Sequence, residues 1–582
     1  MSRVFFATIF LFVFFTPVVA EAQFIGQSQE FFIDKQYDSQ GRERTSATLL
    51  KISGRALIYV DSAWWEAQNP FPQNEARRAL EALAAEFDGA IYPTLTRIFG
   101  SERKPGIDNN ERITILFHPM KENGGGYTNH ADGYSTLQVP ASNMREMVYL
   151  NTDALGNDLL KSFLAHEFIH LITFNQKDIL RNVSEDVWLN EARAEYAPTL
   201  MGYDSADAGN LKNRVQRFVR DPSTSLLEWT NTEKDYAVAN LFAQYMVDHY
   251  KLDILVDSLQ SPEVGVASLN YALVKNGYKK TFGEIFSDWV VAVLVNDCSL
   301  GTVYCYTNPL LENMRIVPQS NFLPTSGTST LSLAGSAKDW NPAWYRVIGG
   351  NGALSVEFQG NPRARFAVPY VLEDFEGNLV VRSLEIDENQ KGSIKIPNFS
   401  TYRSVTIIPF PQTNNQRTKN LPVYQFVVTL STSLAPQIPG TPSSLTEGQI
   451  QAILSLLATF GADSSLIQNV GVALRGGFTA PPTPGSQGIP SDFTFMRNLQ
   501  LGAIGEDVRY LQMLLNANAG TRVADTGPGA PGNETATFGP LTRSALIRFQ
   551  ELHAQEILAP WNLSQGTGIV GPTTREKLNA LL

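Results

Sequence analysis

The sequence predicts a multidomain α+β protein, and three features of the chain lead to this prediction. Its 582 residues suggest about three or four domains, and 43% of them are hydrophobic, which is enough for sizeable cores. Strand-like and then helical patterns run to about residue 300, and short strand-like runs return between about 325 and 432. A Pro/Gly-rich stretch then precedes a C-terminal segment that contains an internal repeat.

The charge and the first residues indicate an exported protein that does not bind nucleic acid. Acidic residues outnumber basic ones, 57 to 46, so the chain lacks the basic footprint of a nucleic-acid partner. Residues 1–22 combine Arg3, the apolar run Phe5–Phe15 and a small-x-small cleavage site at Ala20–Ala22. We predict a signal peptide over 1–22 and no membrane span after its removal, with an uncleaved anchor as the alternative.

The chain has two cysteines, Cys298 and Cys305, and they are close in sequence. In the oxidising environment of an exported protein such a pair is expected to form a small disulfide loop. Two free buried thiols are the alternative.

The chemistry of the chain is concentrated in the apolar segment Lys161–Ile172, which contains the pattern His-Glu-x-x-His. Positions four apart lie on one face of a helix, so His166 and His170 can bind one metal ion. Glu167 is offset beside the pair, which suits a carboxylate that acts on water rather than on the metal. The alternative is a core helix whose two histidines are satisfied without a metal.

A second segment, Trp188–Tyr196, supplies two acids with the same helical spacing. A hydrolytic zinc site needs three protein ligands and one open position, and Glu191 is the candidate for the third ligand. Glu195 lies on the same face, where it can accept the spare ring N–H of a ligand histidine and fix its tautomer. A solvated helix face is the alternative for both acids.

His-Glu-x-x-His followed by Trp-Leu-Asn-Glu-x-x-x-Glu resembles the gluzincin zinc metallopeptidases, most closely the hyicolysin-like branch, over about residues 45–300. The resemblance implies one zinc ion on His166, His170 and Glu191, with Glu167 as the general base. It also implies an oxyanion donor from a later helix, for which Tyr236 is the candidate, with a packing role as the alternative. Glu195 departs from the family's pattern, because thermolysin-type enzymes carry Asp there.

The region before this motif is predicted to form strands and a polar turn. Residues 47–52 and 56–60 have strand patterns that open the catalytic domain (23–317), unless they belong to a removed pro-segment. The resemblance implies that the strand at 112–117 borders the cleft and pairs with extended substrate. The acids around Asp108 are a candidate calcium site, but a solvated turn is the favoured interpretation. Loop residue His130 is a candidate for a metal or substrate contact, with a simply exposed histidine as the favoured alternative.

Two further parts follow the catalytic domain. Seven short strands over 318–432 predict a β-sandwich, which could be a spacer, a substrate-binding module or an adhesive domain. Residues 433–490 predict a Pro/Gly-rich linker that holds a pair of short helices, 445–460 and 464–474. The predicted strands are 344–348, 354–358, 365–372, 379–383, 393–396, 405–408 and 424–430.

The final segment, 491–582, contains a repeat in which Phe538–Leu546 matches Val570–Leu578. In each copy Gly-Pro ends a loop and a Thr can cap the helix that follows. With the helix start at Leu501–Gln512, this pattern resembles the small three-helix peptidoglycan-binding domain of wall hydrolases. A Gly/Pro-rich insertion, Asp525–Thr535, departs from that family near its binding groove.

Together the two resemblances imply an exported, cell-wall-associated zinc metalloendopeptidase of bacteria that acts on protein or peptide substrates. One alternative is a peptidase for the peptide stems of peptidoglycan. Another, of a different class, is a non-catalytic surface or adhesion protein on a metallopeptidase-like scaffold.

Overall fold

The computed structural model describes residues 23–121, 124–205, 209–413, 420–433, 489–490, 493–524, 529–561 and 563–582. The predicted signal peptide and the two predicted linker helices lie outside the described residues. The chain forms two compact units, Met1–Pro436 and Gln437–Leu582, and each is described by itself. Both the sheets and the helices of the predicted multidomain α+β class are present.

The first unit begins with six strands: β1 (Ser28–Phe32), β2 (Arg44–Ile52), β3 (Ala56–Asp61), β4 (Ile113–His118), β5 (Gly126–Thr128) and β6 (Met147–Asn151). They form one sheet in the order β1-β2-β3-β4-β6-β5. β3, β4 and β6 are parallel, and the remaining pairs are antiparallel. The strands predicted at 47–52 and 56–60 are confirmed. Because β1 pairs along its whole length with β2, the residues after the predicted signal peptide are built into this sheet.

The prediction that the strand at 112–117 borders a cleft is wrong. That strand is β4, and it lies between β3 and β6 with every residue buried. A strand covered on both faces favours the nearly continuous apolar run found here. The strands at the two edges of the sheet are β1 and the short β5, which begins at Gly126.

One face of the sheet is covered by helices: α1 (Ser62–Ala67), α2 (Pro70–Glu86), α3 (Tyr92–Phe99) and α4 (Leu160–Phe174). A π-helical turn, Phe87–Ile91, joins α2 to α3 directly before Pro93, where a regular helix would need the N–H that proline lacks. Phe168 and Ile172 of α4 pack with Ile115 of β4 in the core between the two layers. This packing holds α4 against the sheet.

The rest of the helical part comprises α5 (Val187–Leu200), α6 (Asn210–Arg220), α7 (Glu233–Tyr250), α8 (Asp253–Leu259), α9 (Gly265–Lys275) and α10 (Phe282–Val295). Their core contains Trp188, Phe242 and Trp289, all of which are fully buried. The predicted helices around 235–246 and from 282 are confirmed as α7 and α10. Cys298 and Cys305 are bonded to each other directly after α10.

Residues 319–433 form two main sheets around one hydrophobic core. The strands are β7 (Gln319–Leu323), β8 (Thr330–Lys338), β9 (Tyr345–Gly349), β10 (Ala353–Gly360), β11 (Phe366–Ala367), β12 (Pro369–Asp374), β13 (Leu379–Ser383), β14 (Lys391–Ile396), β15 (Tyr402–Ile407), β16 (Phe410–Pro411) and β17 (Val423–Ser433). The orders are β14-β10-β17-β8 and β13-β12-β15-β9-β7, while β11 and β16 pair separately. All seven predicted strand segments contain a strand, whereas β7, β8 and β16 were not predicted. Trp344 donates from Nε1 to the Val290 carbonyl of α10 at 2.9 Å, so this part packs on the helices.

The second unit contains α11 (Glu506–Asn516), α12 (Pro540–Leu552), the short α13 (Ala554–Ile557) and α14 (Pro572–Asn579) around their own core. Both repeats begin a helix, but the helix caps are Gly539 and Gly571, not threonines. Thr542 and Thr574 instead accept hydrogen bonds from the buried side chains of Gln512 and Gln550, at 2.9 and 3.0 Å. Part of the predicted insertion, residues 525–528, lies outside the described residues. Across the described ranges of both units, no helix has the length and apolar character needed to cross a bilayer.

Candidate metal centre

Two helices bring the three predicted ligands together. His166 and His170 are one turn apart on α4, and Glu191 lies on the facing turn of α5. The two imidazole Nε2 atoms are 3.2 Å apart, and the Glu191 Oε2 atom is 3.2 Å from that of His166 and 3.5 Å from that of His170. Within the described part of the chain, these three residues are the one group of three or more His, Cys, Asp or Glu side chains placed to share a metal ion.

The spacing of these three atoms fits a tetrahedral ion. A zinc ion with ligand bonds of about 2.0–2.1 Å places any two tetrahedral ligands about 3.3–3.4 Å apart. The observed separations of 3.2–3.5 Å match that triangle. Two imidazoles and one carboxylate leave the fourth position open, which is the donor set of a hydrolytic rather than a structural zinc site.

The charges of these three residues also suit a bound cation. The Glu191 Oε2 atom is buried without a hydrogen-bond partner, although it faces both imidazoles. Burial alone would raise the pKa of Glu191, but His170 and His166 hold it well below its usual range. Burial alone would lower the pKa of His170, but the charge of the Glu191 carboxylate outweighs burial and raises that pKa above its usual value. The site therefore attracts positive charge, which a metal ion supplies when it displaces the protons.

The outer nitrogens of both ligand histidines have partners. His170 Nδ1 lies 3.0 Å from Asn190 Oδ1, so an N–H at Nδ1 leaves Nε2 free for a metal. His166 Nδ1 lies 3.5 Å from Glu195 Oε1, so the acid predicted to accept its N–H stands at ion-pair distance from that nitrogen. Asn190 was missed in the sequence, where its one signal was its place directly before the ligand Glu191.

Glu195 is held in place and ionised by residues from two other helices. Arg214 of α6 donates to both of its carboxylate oxygens, at 2.7 and 2.8 Å, and Asn240 of α7 donates at 3.1 Å. Burial alone would raise the pKa of Glu195, but the Arg214 guanidinium keeps it below its usual value. A charged carboxylate thus stands behind His166.

Glu167 lies beside the ligands and next to the edge strand. Its side chain is almost fully buried, and burial raises its pKa, which favours a proton acceptor of moderate strength. β5 passes so close that a Cβ atom at Gly126 would lie 3.0 Å from Glu167 Cγ and 2.8 Å from the Tyr149 carbonyl oxygen. A glycine at this position therefore lets the strand run directly along the acid.

The charges of this group act on two further residues, Tyr236 and His130. The Tyr236 hydroxyl, at the start of α7, donates to Asn231 Oδ1 at 2.9 Å, and burial together with the charge of Glu191 raises its pKa. His130 follows β5, and its ring packs 4.9 Å from that of Phe174 at the end of α4. Burial lowers the pKa of His130 to about 4, so this imidazole is neutral at ordinary pH.

Among the described residues, the acids of the candidate calcium turn do not form a group of three that could share an ion. Asp108 accepts from the Asn110 amide at 2.9 Å, and Glu146 accepts from the Ile107 amide at 3.0 Å. Both carboxylates thus organise the turn itself, which agrees with the alternative reading of this segment.

Comparisons with known proteins are uninformative about this site. No protein-family model matches the chain, and no curated protein matches it. Similar solved structures include PliG of Aeromonas hydrophila, a periplasmic inhibitor of g-type lysozyme, with 9% identity over 19% of this chain and 95% of that one at a TM-score of 0.14. PliG of Salmonella Typhimurium has 14% identity over 20% of this chain and 99% of that one, with a TM-score of 0.14. AlgX of Pseudomonas aeruginosa has 7% identity over 22% of this chain and 30% of that one, with a TM-score of 0.12. TM-scores this low carry no argument about fold or function.

Proposed function

We propose that the chain is an exported zinc metalloendopeptidase of the gluzincin type that hydrolyses peptide bonds in extended protein or peptide substrates. One observation carries the proposal: three ligand atoms with tetrahedral zinc spacing lie beside a buried glutamate, and an edge strand runs along that glutamate. The non-catalytic alternative is less well supported, because a scaffold retained only for adhesion has no use for Glu167 in this position.

The substrate class follows from β5. In the described part of the chain no strand pairs with its outer side, so an extended peptide can add to the sheet there through main-chain hydrogen bonds. Such pairing reads the backbone rather than particular side chains, and it therefore suits many sequences. A peptide bound this way passes Glu167 and the open side of His166, His170 and Glu191.

His166, His170 and Glu191 would hold the zinc ion, while Asn190 and Glu195 orient the two imidazoles. When bound, zinc polarises the carbonyl of the scissile bond and makes water acidic enough to be a nucleophile near neutral pH. Glu167 accepts the proton of the attacking water and delivers it to the leaving amine. The Tyr236 hydroxyl is the donor for the oxygen that gains negative charge.

The N-terminal and C-terminal segments indicate where the enzyme acts. The predicted signal peptide implies export, and the repeat at 491–582 resembles a peptidoglycan-binding domain, so we propose that the enzyme is held at the bacterial cell wall. The paired networks of Gln512 and Gln550 support a duplicated helical unit in that segment. Proteins at the wall, or the peptide stems of the wall itself, are then within reach of the catalytic domain.

The test compares zinc content and casein hydrolysis in the mature protein, Glu167→Ala and a control, Glu102→Ala. Glu102 is also a buried acid, but it accepts from the Tyr92 hydroxyl at 2.9 Å. We expect all three proteins to bind about one zinc per chain and Glu167→Ala alone to lose roughly 10²- to 10⁴-fold in rate. A zinc-loaded wild type that cuts neither casein nor wall peptides would favour the adhesion scaffold, and a wild type without zinc affinity would refute the site.

A further inference from the structure

A column of aromatic rings extends from the sheet past its open edge. Tyr149 of β6 stacks on Tyr127 of β5 with ring centroids 4.3 Å apart, and Tyr127 stacks on Tyr37 at 4.6 Å. The ring planes differ by 7° and 13°, so the three rings are nearly parallel. Tyr37 is thus the outermost ring and lies at the edge where a peptide would pair with β5.

The backbone of Tyr37 is fixed on both sides. Its carbonyl accepts from the Lys121 amide at 2.8 Å, and its amide donates to the Asp34 carbonyl at 3.0 Å. The next residue, Asp38, is fully buried and accepts from the Arg42 guanidinium at 2.8 Å. The direction of the Tyr37 side chain is therefore set by the folded sheet, before any ligand arrives.

The side chain of Asn231 joins Tyr37 to Tyr236. Its Oδ1 accepts from the Tyr236 hydroxyl at 2.9 Å, and the same side chain lies near enough to the Tyr37 phenol to lower its pKa. Asn231 has a left-handed backbone with φ of 60°, a conformation that asparagine tolerates better than most residues. Asn231 thus lies beside both Tyr37, which follows β1, and Tyr236 of α7.

The charges of the proposed catalytic group act on both phenols. Burial is the main cause that raises the pKa of Tyr37 and of Tyr236, and the charges of Glu167 and Glu191 raise both further. Both hydroxyls therefore stay protonated near neutral pH. A protonated phenol with a fixed direction is a pre-organised hydrogen-bond donor.

We propose that Tyr37 is a further catalytic residue of this site, which donates a hydrogen bond, together with Tyr236, to the carbonyl oxygen of the peptide bond under attack. Asn231 is the positioning residue that holds both hydroxyls at the cleft until the substrate oxygen takes its place. This inference rests on the proposed peptidase function. It adds a donor from a segment far upstream of the zinc-binding helices.

The test uses Tyr37→Phe, which keeps the stacked ring and removes only the hydroxyl. We expect kcat on a fluorogenic peptide to fall roughly 10²-fold with little change in KM, because removing one oxyanion donor typically has an effect of this size. The Kd of a peptide phosphonamidate, whose tetrahedral oxygens imitate the charged carbonyl oxygen, should weaken by a similar factor in calorimetry. Zinc content and melting temperature should stay at wild-type values.

Two further variants keep the test decisive. Tyr203→Phe is the control, because the Tyr203 hydroxyl donates to Glu86 at 2.7 Å outside the cleft, and its kcat should equal that of wild type. Asn231→Gly preserves the left-handed backbone and removes the amide, so it should lower kcat and phosphonamidate affinity in the same direction as Tyr37→Phe. This variant tests the role of Asn231 in holding the two hydroxyls, and it leaves the rings of Tyr37 and Tyr236 unchanged.

The outcomes separate this inference from the function on which it rests. Wild-type kcat and phosphonamidate affinity in Tyr37→Phe would overturn the role of Tyr37 and leave the peptidase intact. A loss of activity that comes with an equal loss of zinc, or with a lowered melting temperature, would assign Tyr37 a structural role and also overturn it. A wild type that neither cuts peptides nor binds the phosphonamidate would refute the peptidase itself.

Discussion

Replacing Asn190 by alanine should weaken zinc binding without unfolding the protein. The Asn190 Oδ1 atom lies 3.0 Å from His170 Nδ1 and is the partner that fixes the tautomer with a free Nε2. An ordinary hydrogen bond of this kind is worth about 0.5–1.5 kcal/mol. Loss of orientation adds to that value, and removing such a partner of a metal ligand typically lowers affinity 10- to 100-fold, or about 1.4–2.8 kcal/mol.

The assay is competition for zinc against a chromophoric chelator, with the melting temperature of each protein measured in parallel. Asn175→Ala is the matched control, because Asn175 is buried directly after α4, the helix of His170, and donates its amide to the Ser101 carbonyl at 2.9 Å. It removes one amide hydrogen bond without touching a ligand. Asn190→Asp provides a second comparison, since a carboxylate oxygen at the same place still accepts the N–H and should retain zinc affinity.

Two results would refute this reasoning. Equal zinc affinity in wild type and Asn190→Ala would show that His170 needs no partner to bind the metal. Equal losses in Asn190→Ala and Asn175→Ala would show that general destabilisation, rather than the orientation of His170, weakens the site.

Two further predictions concern stability. Arg214→Met leaves the Glu195 carboxylate buried without its cation, so urea unfolding should show a loss of about 3–5 kcal/mol, and a loss under 1 kcal/mol would contradict the charged state of Glu195. Burial raises the pKa of Glu146 from 4.5 to about 7, so its contribution is fully present below pH 4.5 and is lost as the pH rises through 7. The difference of 7 − 4.5 = 2.5 units corresponds to roughly 2–4 kcal/mol, and Glu146→Gln should remove this pH dependence of the unfolding free energy between pH 5 and 8.

The helix of the candidate metal ligands was predictable because its pattern is local. The spacing of His166 and His170 fixes their common face as soon as the segment is helical, and the apolar residues around them require burial. Glu191 and Glu195 follow the same rule on α5. The structure confirms that the three predicted ligands come together at distances suited to one ion, while the identity of that ion stays a prediction.

The position of the edge strand was not predictable in the same way. A strand pattern shows that a segment enters a sheet, but its neighbours depend on pairings with distant parts of the chain. β4 has the stronger pattern and lies at the centre, whereas β5 has three residues and begins at a glycine. β5 can lie close to α4 because glycines at 125 and 126 let the backbone approach Phe163 and Glu167.

The same distinction explains why the sequence indicated Tyr236 but not Tyr37. Tyr236 was found by resemblance, because it lies on a helix that follows the zinc ligands in a known order. Tyr37 lies in a segment with no pattern of its own, and its place beside the edge strand depends on the stack on Tyr127. A side chain placed by a contact between distant parts of the chain leaves no periodic signal in the sequence. If Tyr37 acts as proposed, the N-terminal segment that contains β1 and Tyr37 is part of the catalytic machinery, and removing it as a pro-segment would lower activity rather than release it.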